Sequence, residues 1–220
     1  MQPIILHIET ATKVCSVAVS QGGSLLALID KETDNYIHRE SLTLFILEVL
    51  KKANLKETDL NAISVSIGPG SYTGLRIGLS TAKGLCFGLD IPIICIPTLE
   101  SLLAQGHVKH PDRIICGMLD ARRMEVYTKS NNSEGSVIRE LQALVIEEDT
   151  FLNDEPFVYF GDGAQKLQTL WGNREATFDP SIKISATGQT ELALTRYLNQ
   201  TFDNLSSCKP LYLKQFGINT

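Results

Sequence analysis

The chain has 220 residues, of which 20 are Lys or Arg and 25 Asp or Glu, so its net charge is −5, and 43% of it is hydrophobic. That length suits one large domain or two of roughly 110 residues, and the charge supplies no global positive field to draw the chain to nucleic acid. No apolar run nears the ~20 residues of a membrane span, the N-terminus lacks a basic, apolar leader pattern, and five cysteines without a C-x-x-C pair are expected to be reduced thiols in a cytoplasmic protein.

Ile4 to Ile8 reads as a buried strand, broken by the polar turn Glu9-Thr10-Ala11-Thr12. Val14 to Ser20 and Leu25 to Ile29 read as two further strands joined by a Gly-Gly hairpin turn. The first turn could cradle a phosphate with backbone N–H and hydroxyl donors. It could equally be an ordinary turn whose Thr side chains bond the local backbone, and its residue types favour that. After the loop Lys31 to Asn35, a helix near 41–53 carries a core stripe of Leu42, Phe45, Ile46, Val49, Leu50 and Ala53. Leu44 and Leu47 lie off that stripe, so the helix is apolar over more of its circumference than one core requires. His38, just before it, reads as a capping or surface histidine.

Ile63-Ser64-Val65-Ser66-Ile67 alternates as a strand, and Gly68-Pro69-Gly70 stops it. Ser71 or Thr73 can then cap a helix over 73–88. Gly78 and Gly84 lie inside that helix, and each costs roughly 1 kcal/mol relative to Ala. Such a cost points to a second backbone packed closely against it. Gly74, Gly78, Thr81, Leu85 and Gly88 are spaced four, three, four and three, forming one smooth stripe. Leu75, Leu79, Ala82 and Cys86 form a greasier one. One face can enter a core while the other takes a partner, or both can be buried in one domain; spacing alone leaves both open.

Ile91 to Ile96 is another strand, and Thr98, a plausible N-cap, opens the next helix. His107 and His110 fall in a polar loop, Gly106 to Arg113, as solvated surface histidines. A second unit begins there. Ile114 to Leu119 and Met124 to Lys129 are strands around the turn Asp120-Ala121-Arg122-Arg123, which echoes the first. Val137 to Val145 is ambiguous between strand and helix, and helices are expected at Glu147 to Leu152, Gln165 to Leu170 and Thr190 to Asn199. Phe157 to Phe160 is a strand, and Pro210 to Lys214 an extended segment docked on the body. The repeated strand–turn–strand openings predict an α/β chain of two similar lobes, 1–99 and 100–220, the second smaller.

With these pieces in place, the chain resembles the bacterial TsaB (YeaZ) family over almost its whole length. The residues that carry this are Ile8-Glu9-Thr10-Ala11-Thr12, Gly68 through Gly78, Asp120-Ala121-Arg122 with Glu125-Val126-Tyr127, and Pro210-Leu211-Tyr212-Leu213. Glu9 departs from the Asp usual there. The resemblance implies an actin/hexokinase/Hsp70-like two-lobe fold with a shortened second lobe. It also implies membership of the complex that forms N6-threonylcarbamoyladenosine beside the tRNA anticodon, as a homodimer alone and as the partner of the catalytic paralogue TsaD. A TsaE-type ATPase joins through the complex, tRNA is met only indirectly, and no membrane is involved.

The metal-binding histidine pair of TsaD falls on Thr98 and Leu102, and Leu cannot ligate. The resemblance therefore implies a non-catalytic scaffold with no metal or catalytic residue and no cofactor of its own, a nucleotide at the joint with the partner being left open. Leu44, Leu47, Gly74, Gly78, Thr81, Leu85 and Gly88 are the expected dimer interface. A free-standing kinase of the same fold ranks second, since no catalytic Asp with phosphate loops is evident. A glycoprotease-like peptidase ranks third, lacking both a ligand cluster and a G-x-S-x-G elbow.

Overall fold

The computed structural model describes residues 2–32, 38–154, 156–172 and 174–213, apart from the side chains of residues 38–40. The first sheet comprises β1 (Ile4–Glu9), β2 (Val14–Gln21), β3 (Ser24–Glu32), β4 (Ala62–Gly68) and β5 (Ile93–Pro97), in the order β3-β2-β1-β4-β5. β1, β2 and β3 pair antiparallel, while β4 and β5 run parallel to β1. Parallel neighbours need long crossovers, here α1 (His38–Lys52) and α2 (Tyr72–Leu89). After α3 (Thr98–Lys109) the plan repeats. The strands β6 (Ile114–Asp120), β7 (Glu125–Asn131), β8 (Val137–Val145), β9 (Phe157–Phe160) and β10 (Ala176–Phe178) stack as β10-β9-β6-β7-β8. Two five-stranded sheets of one strand plan thus follow each other along the chain, as the expected two-lobe fold requires.

Period-two register gives the first sheet two unlike faces. Leu6, Ile8, Val17, Val19, Ile63 and Val65 meet Leu42, Ile46 and Val49 of α1 and Leu79, Ala82 and Cys86 of α2 in one apolar core. The opposite face carries His7, Glu9, Ser16, Ser20, Ser64 and Ser66, and all six are buried. Their cover comes from the far end of the chain, a 3₁₀ turn over Ala186–Gln189 and α4 (Thr190–Leu198). Ala193 of α4 packs with Ile5, Ala62, Ile94 and Ile96. The closing segment thus lies on the first sheet, and the expected boundary at 99/100 falls inside α3.

Several expectations change in detail. The segments 147–152 and 165–170 are turns with short 3₁₀ pieces at Leu152–Asp154 and Gln165–Leu167 instead of α-helices. At the first, Phe151 sits at φ 64°, which a continuing helix excludes. Residues 137–145 are strand, and β10 had no expectation. Thr98 is the first residue of α3, not its cap, because its hydroxyl accepts from the Gly68 amide at 3.1 Å. α3 runs on to Lys109, so His107 lies in its last turn and His110 caps it, bonded to Asp179 Oδ2 at 2.8 Å. Residues 33–35 of the expected loop and the side chain of His38 lie outside the described residues.

Candidate functional site

The turn after β1 and the glycine helix lock together. Ser71 accepts from the Gly74 amide at 3.2 Å and so caps α2, as one of the two expected candidates. The Ser71 amide donates to Ala11 O at 2.6 Å. A Cβ on Gly70 would stand 2.4 Å from that same carbonyl, so only glycine lets the two turns approach. Thr10 Oγ1 donates to Gly74 O at 2.9 Å, and the Val14 amide donates to Thr12 Oγ1 at 3.1 Å. Both hydroxyls bond the chain's own backbone, which is the ordinary-turn reading of Glu9-Thr10-Ala11-Thr12.

Gly78 is explained by the same lock. A Cβ there would lie 2.3 Å from Thr10 Oγ1. Gly74 and Gly78, two of the expected dimer-interface positions, are therefore buried inside their own protomer, and of the two readings that spacing left open the internal one holds at these positions. Thr81 and Leu85 are half-buried, Leu85 leaning on the first core. Gly88 is exposed, with nothing near its missing side chain. The outward face of α2 lies one residue round from the expected stripe, at Thr73, Arg76, Ser80, Gly84 and Phe87. Phe87 is 82% exposed. Its offset from the Leu75, Leu79, Ala82 and Cys86 stripe is the sequence signal for that exposure.

On α1, which packs beside α2, Leu44 is 62% and Leu47 51% exposed. Leu44, Leu47, Phe87 and the bare backbone at Gly84 and Gly88 are thus solvent-facing positions of adjacent helices. The chain's tail holds the other end of α2. Leu211 donates its amide to Ile67 O at 2.7 Å, Tyr212 stacks on Tyr72 with ring centroids 5.3 Å apart, and Arg76 Nε donates to the Tyr212 hydroxyl at 3.0 Å. The expected docked segment is there through Leu213, and Lys214 lies outside the described residues.

The two positions where the resemblance puts a ligand pair do not fit a metal. Thr98 gives its oxygen to the Gly68 amide, and Leu102 is sealed in the second core, its Cδ2 facing Gly117 and Gly161. Neither offers a free donor atom. Among the described residues no group of three or more His, Cys, Asp or Glu is gathered as a ligand set. Thr98→Val keeps the shape of the side chain but leaves the Gly68 amide unpartnered. It is expected to lower stability by about 1–3 kcal/mol, read from the urea midpoint.

Glu9 and Asp120, the matching acids of the two opening turns, sit in opposite surroundings. Glu9 is wholly buried; Oε1 accepts from the Ala11 amide at 2.7 Å and Oε2 has no hydrogen-bond partner. Burial pushes its carboxyl up to about 7, against the pull of the Ala11 amide. Asp120 is exposed and pairs with Lys166 Nζ at 2.5 Å. Its neighbour Asp162 is exposed as well and accepts from the Asp120 amide at 3.0 Å.

Comparison with known proteins agrees with this geometry. The family described as TsaD: tRNA N6-adenosine threonylcarbamoyltransferase matches residues 33–214. The tRNA threonylcarbamoyladenosine biosynthesis protein TsaB of Escherichia coli is 35% identical over 126 residues, 56% of this chain and 52% of that protein, so the match spans about half the relative's length. TsaB of Haemophilus influenzae is 27% identical over 225 residues, 96% of this chain and 93% of that one. Among solved structures, YeaZ from Pseudomonas aeruginosa superposes with a TM-score of 0.79 at 22% identity, covering 96% of this chain and all of that one. An inorganic polyphosphate/ATP-glucomannokinase from Arthrobacter does so at 0.50 and 9%, covering 89% and 99%. The fold is thus the expected actin/hexokinase/Hsp70-like one, and the chain belongs to the TsaB (YeaZ) family, inside the wider threonylcarbamoyltransferase family.

Proposed function

We propose that the chain works in tRNA N6-threonylcarbamoyladenosine synthesis as a non-catalytic subunit that binds and orders a TsaD-type catalytic partner. The observation that carries this is the outer face of α1 and α2, where Leu44, Leu47 and Phe87 stand exposed beside the open backbone at Gly84 and Gly88. Large apolar side chains exposed on neighbouring helices mark an interaction site, and bare glycines admit a second helix at short range. The same face serves the homodimer when the chain is alone, and a TsaE-type ATPase and tRNA join through the partner. A chain whose ligand-pair positions are spent on Gly68 and on the core supports this division of labour. The reading assigns it neither cofactor nor metal, and a cytoplasmic place follows from the reaction.

A partner that binds only the competent state of an enzyme raises its activity by restoring that population. Leu47→Glu with Phe87→Glu is therefore expected to weaken association by about 2 kcal/mol or more, as for central apolar contacts, and to lower threonylcarbamoyl transfer in proportion. Sedimentation and single-turnover transfer to tRNA, measured on the same samples, read both. Full association by a folded double variant would place the interface elsewhere. Transfer lost on Asp120→Ala with association intact would make this chain part of the chemistry.

A further inference from the structure

We propose that Cys95 of β5 and Cys208 of the closing tail form a disulfide when the chain meets a small oxidised thiol, and that this bond staples the tail to the first sheet. The inference is independent of the proposed function. Cys208 packs from outside on the first core, which contains Cys95 and Cys86. The thiols of Cys95 and Cys208 are hydrogen-bonded to each other, whereas Cys86 gives its proton to Pro92 O at 3.6 Å. Contacts that do not involve sulfur hold the pair in place. The Cys95 amide donates to Asp203 Oδ2 at 2.7 Å, and its carbonyl accepts from Arg196 Nη1 at 2.7 Å. The Asp203 amide donates to Ile93 O at 3.0 Å, so the tail runs in along the edge strand β5. Lys83 Nζ donates to Cys208 O at 2.9 Å and ties that residue to α2.

Cys208 is the one cysteine of the five that is not buried, so it meets the oxidant first. Its thiolate attacks one sulfur of a disulfide such as oxidised glutathione, the other sulfur leaves as a thiolate, and a mixed disulfide remains on Cys208. Cys95 then attacks Cys208 Sγ and expels the second small thiolate. The two protons lost by the cysteines go to the two released thiols, and the two electrons lost by the pair have reduced the small disulfide. Burial and the neighbouring Asp203 carboxylate hold the Cys95 thiol well above the usual range, so its attack is the slower step. A disulfide needs its sulfurs ~2 Å apart. Cys208 follows a turn at 205–207 and belongs to no helix or strand, so the tail can make that small approach.

The folded full chain is incubated with oxidised glutathione, and a digest made without reductant is mapped by mass spectrometry. One internal Cys95–Cys208 link is expected, with the other thiols still titratable after denaturation and the link reversed by dithiothreitol. Closing a loop of about 100 residues should raise Tm by about 5–15 °C over the reduced chain. Hydrogen exchange at the Leu211 amide, which donates to Ile67 O just beyond the staple, should slow several-fold. Cys95→Ala should stop at the mixed disulfide on Cys208 with no rise in Tm, Cys208→Ala should take up no oxidant, and Cys86→Ala should close the bond as wild type does. Circular dichroism checks the folds, and if one of the first two variants fails to fold the other decides. Five free thiols after oxidation of the folded chain, a mixed disulfide that persists on wild-type Cys208, a Cys86–Cys208 or interchain link, or a closed bond that leaves Tm unchanged would overturn the proposal.

Discussion

Gly78→Ala is expected to destabilise the folded protomer by about 1–2 kcal/mol, whatever it does to association. The added methyl would stand 2.3 Å from Thr10 Oγ1, which is wholly buried and donates to Gly74 O. The hydroxyl must rotate away, which forfeits that bond and overpacks the joint between the two turns, a cost of about 2–3 kcal/mol. Better helix propensity returns ~1 kcal/mol. The overpacking term is larger, so the net sign is loss. Thr10→Ala removes the clashing oxygen, and Gly78→Ala in that background should recover most of the deficit. A double-mutant cycle on urea midpoints measures this coupling. Gly84→Ala is the matched control. Nothing lies within 4 Å of its missing Cβ, so it should stabilise the monomer by about 0.5–1 kcal/mol. An unchanged midpoint in Gly78→Ala would mean that Thr10 yields freely and that this glycine is not needed for the protomer.

That pair of glycines also marks where sequence reading stops. The strands of the first lobe are legible because apolar and β-branched residues alternate between punctuating turns, and their ends fall within a few residues of expectation. The glycine helix and its Ser71 cap are equally local signals. Which way the helix faces is not local. Gly78 points at Thr10, 68 residues earlier, so the solvent face is rotated by about 100°, one residue, from the stripe that spacing picked out. The serines of β4 mislead in the same manner. Ser64 and Ser66 alternate with Ile and Val as a solvent-facing edge would, yet both are buried. Ser64 donates to Gln189 Oε1 at 2.6 Å, 125 residues along the chain. The second lobe blurred where turns stand in for helices, since Phe151 takes a left-handed conformation that residue type does not announce.

The buried polar face beneath Gln189 gives the chain a stability profile that only single variants expose. His7 lies between Ser64 Oγ and Ser20 Oγ, each 2.7 Å away. Ser64 spends its proton on Gln189, so it accepts from His7 Nδ1–H. Burial pulls the ring's pKa from 6.5 down to about 3 and keeps it neutral, so Nε2 is left to accept from Ser20. Between those values the unfolded chain holds a proton that the folded one lacks, so the His7 contribution is present above 6.5 and is lost as pH falls toward 3. Glu9, two residues on and facing the same layer, has the opposite sign. Its carboxyl rises from 4.5 to about 7, so the folded state holds the extra proton, and its contribution is present below 4.5 and lost as pH climbs through 7. From 4.5 to 6.5 the two slopes cancel, and wild type should show little dependence from this pair. Glu9→Gln removes one side. Its stability relative to wild type is expected to grow by about 3 kcal/mol from pH 4.5 to above 7 and then level off. His7→Gln removes the other, and its stability relative to wild type should rise as pH falls from 6.5 toward 3. Urea unfolding of the three proteins across pH 4 to 8 reads both differences. Difference curves that stay flat would mean that water reaches this layer and that neither group titrates as a buried one.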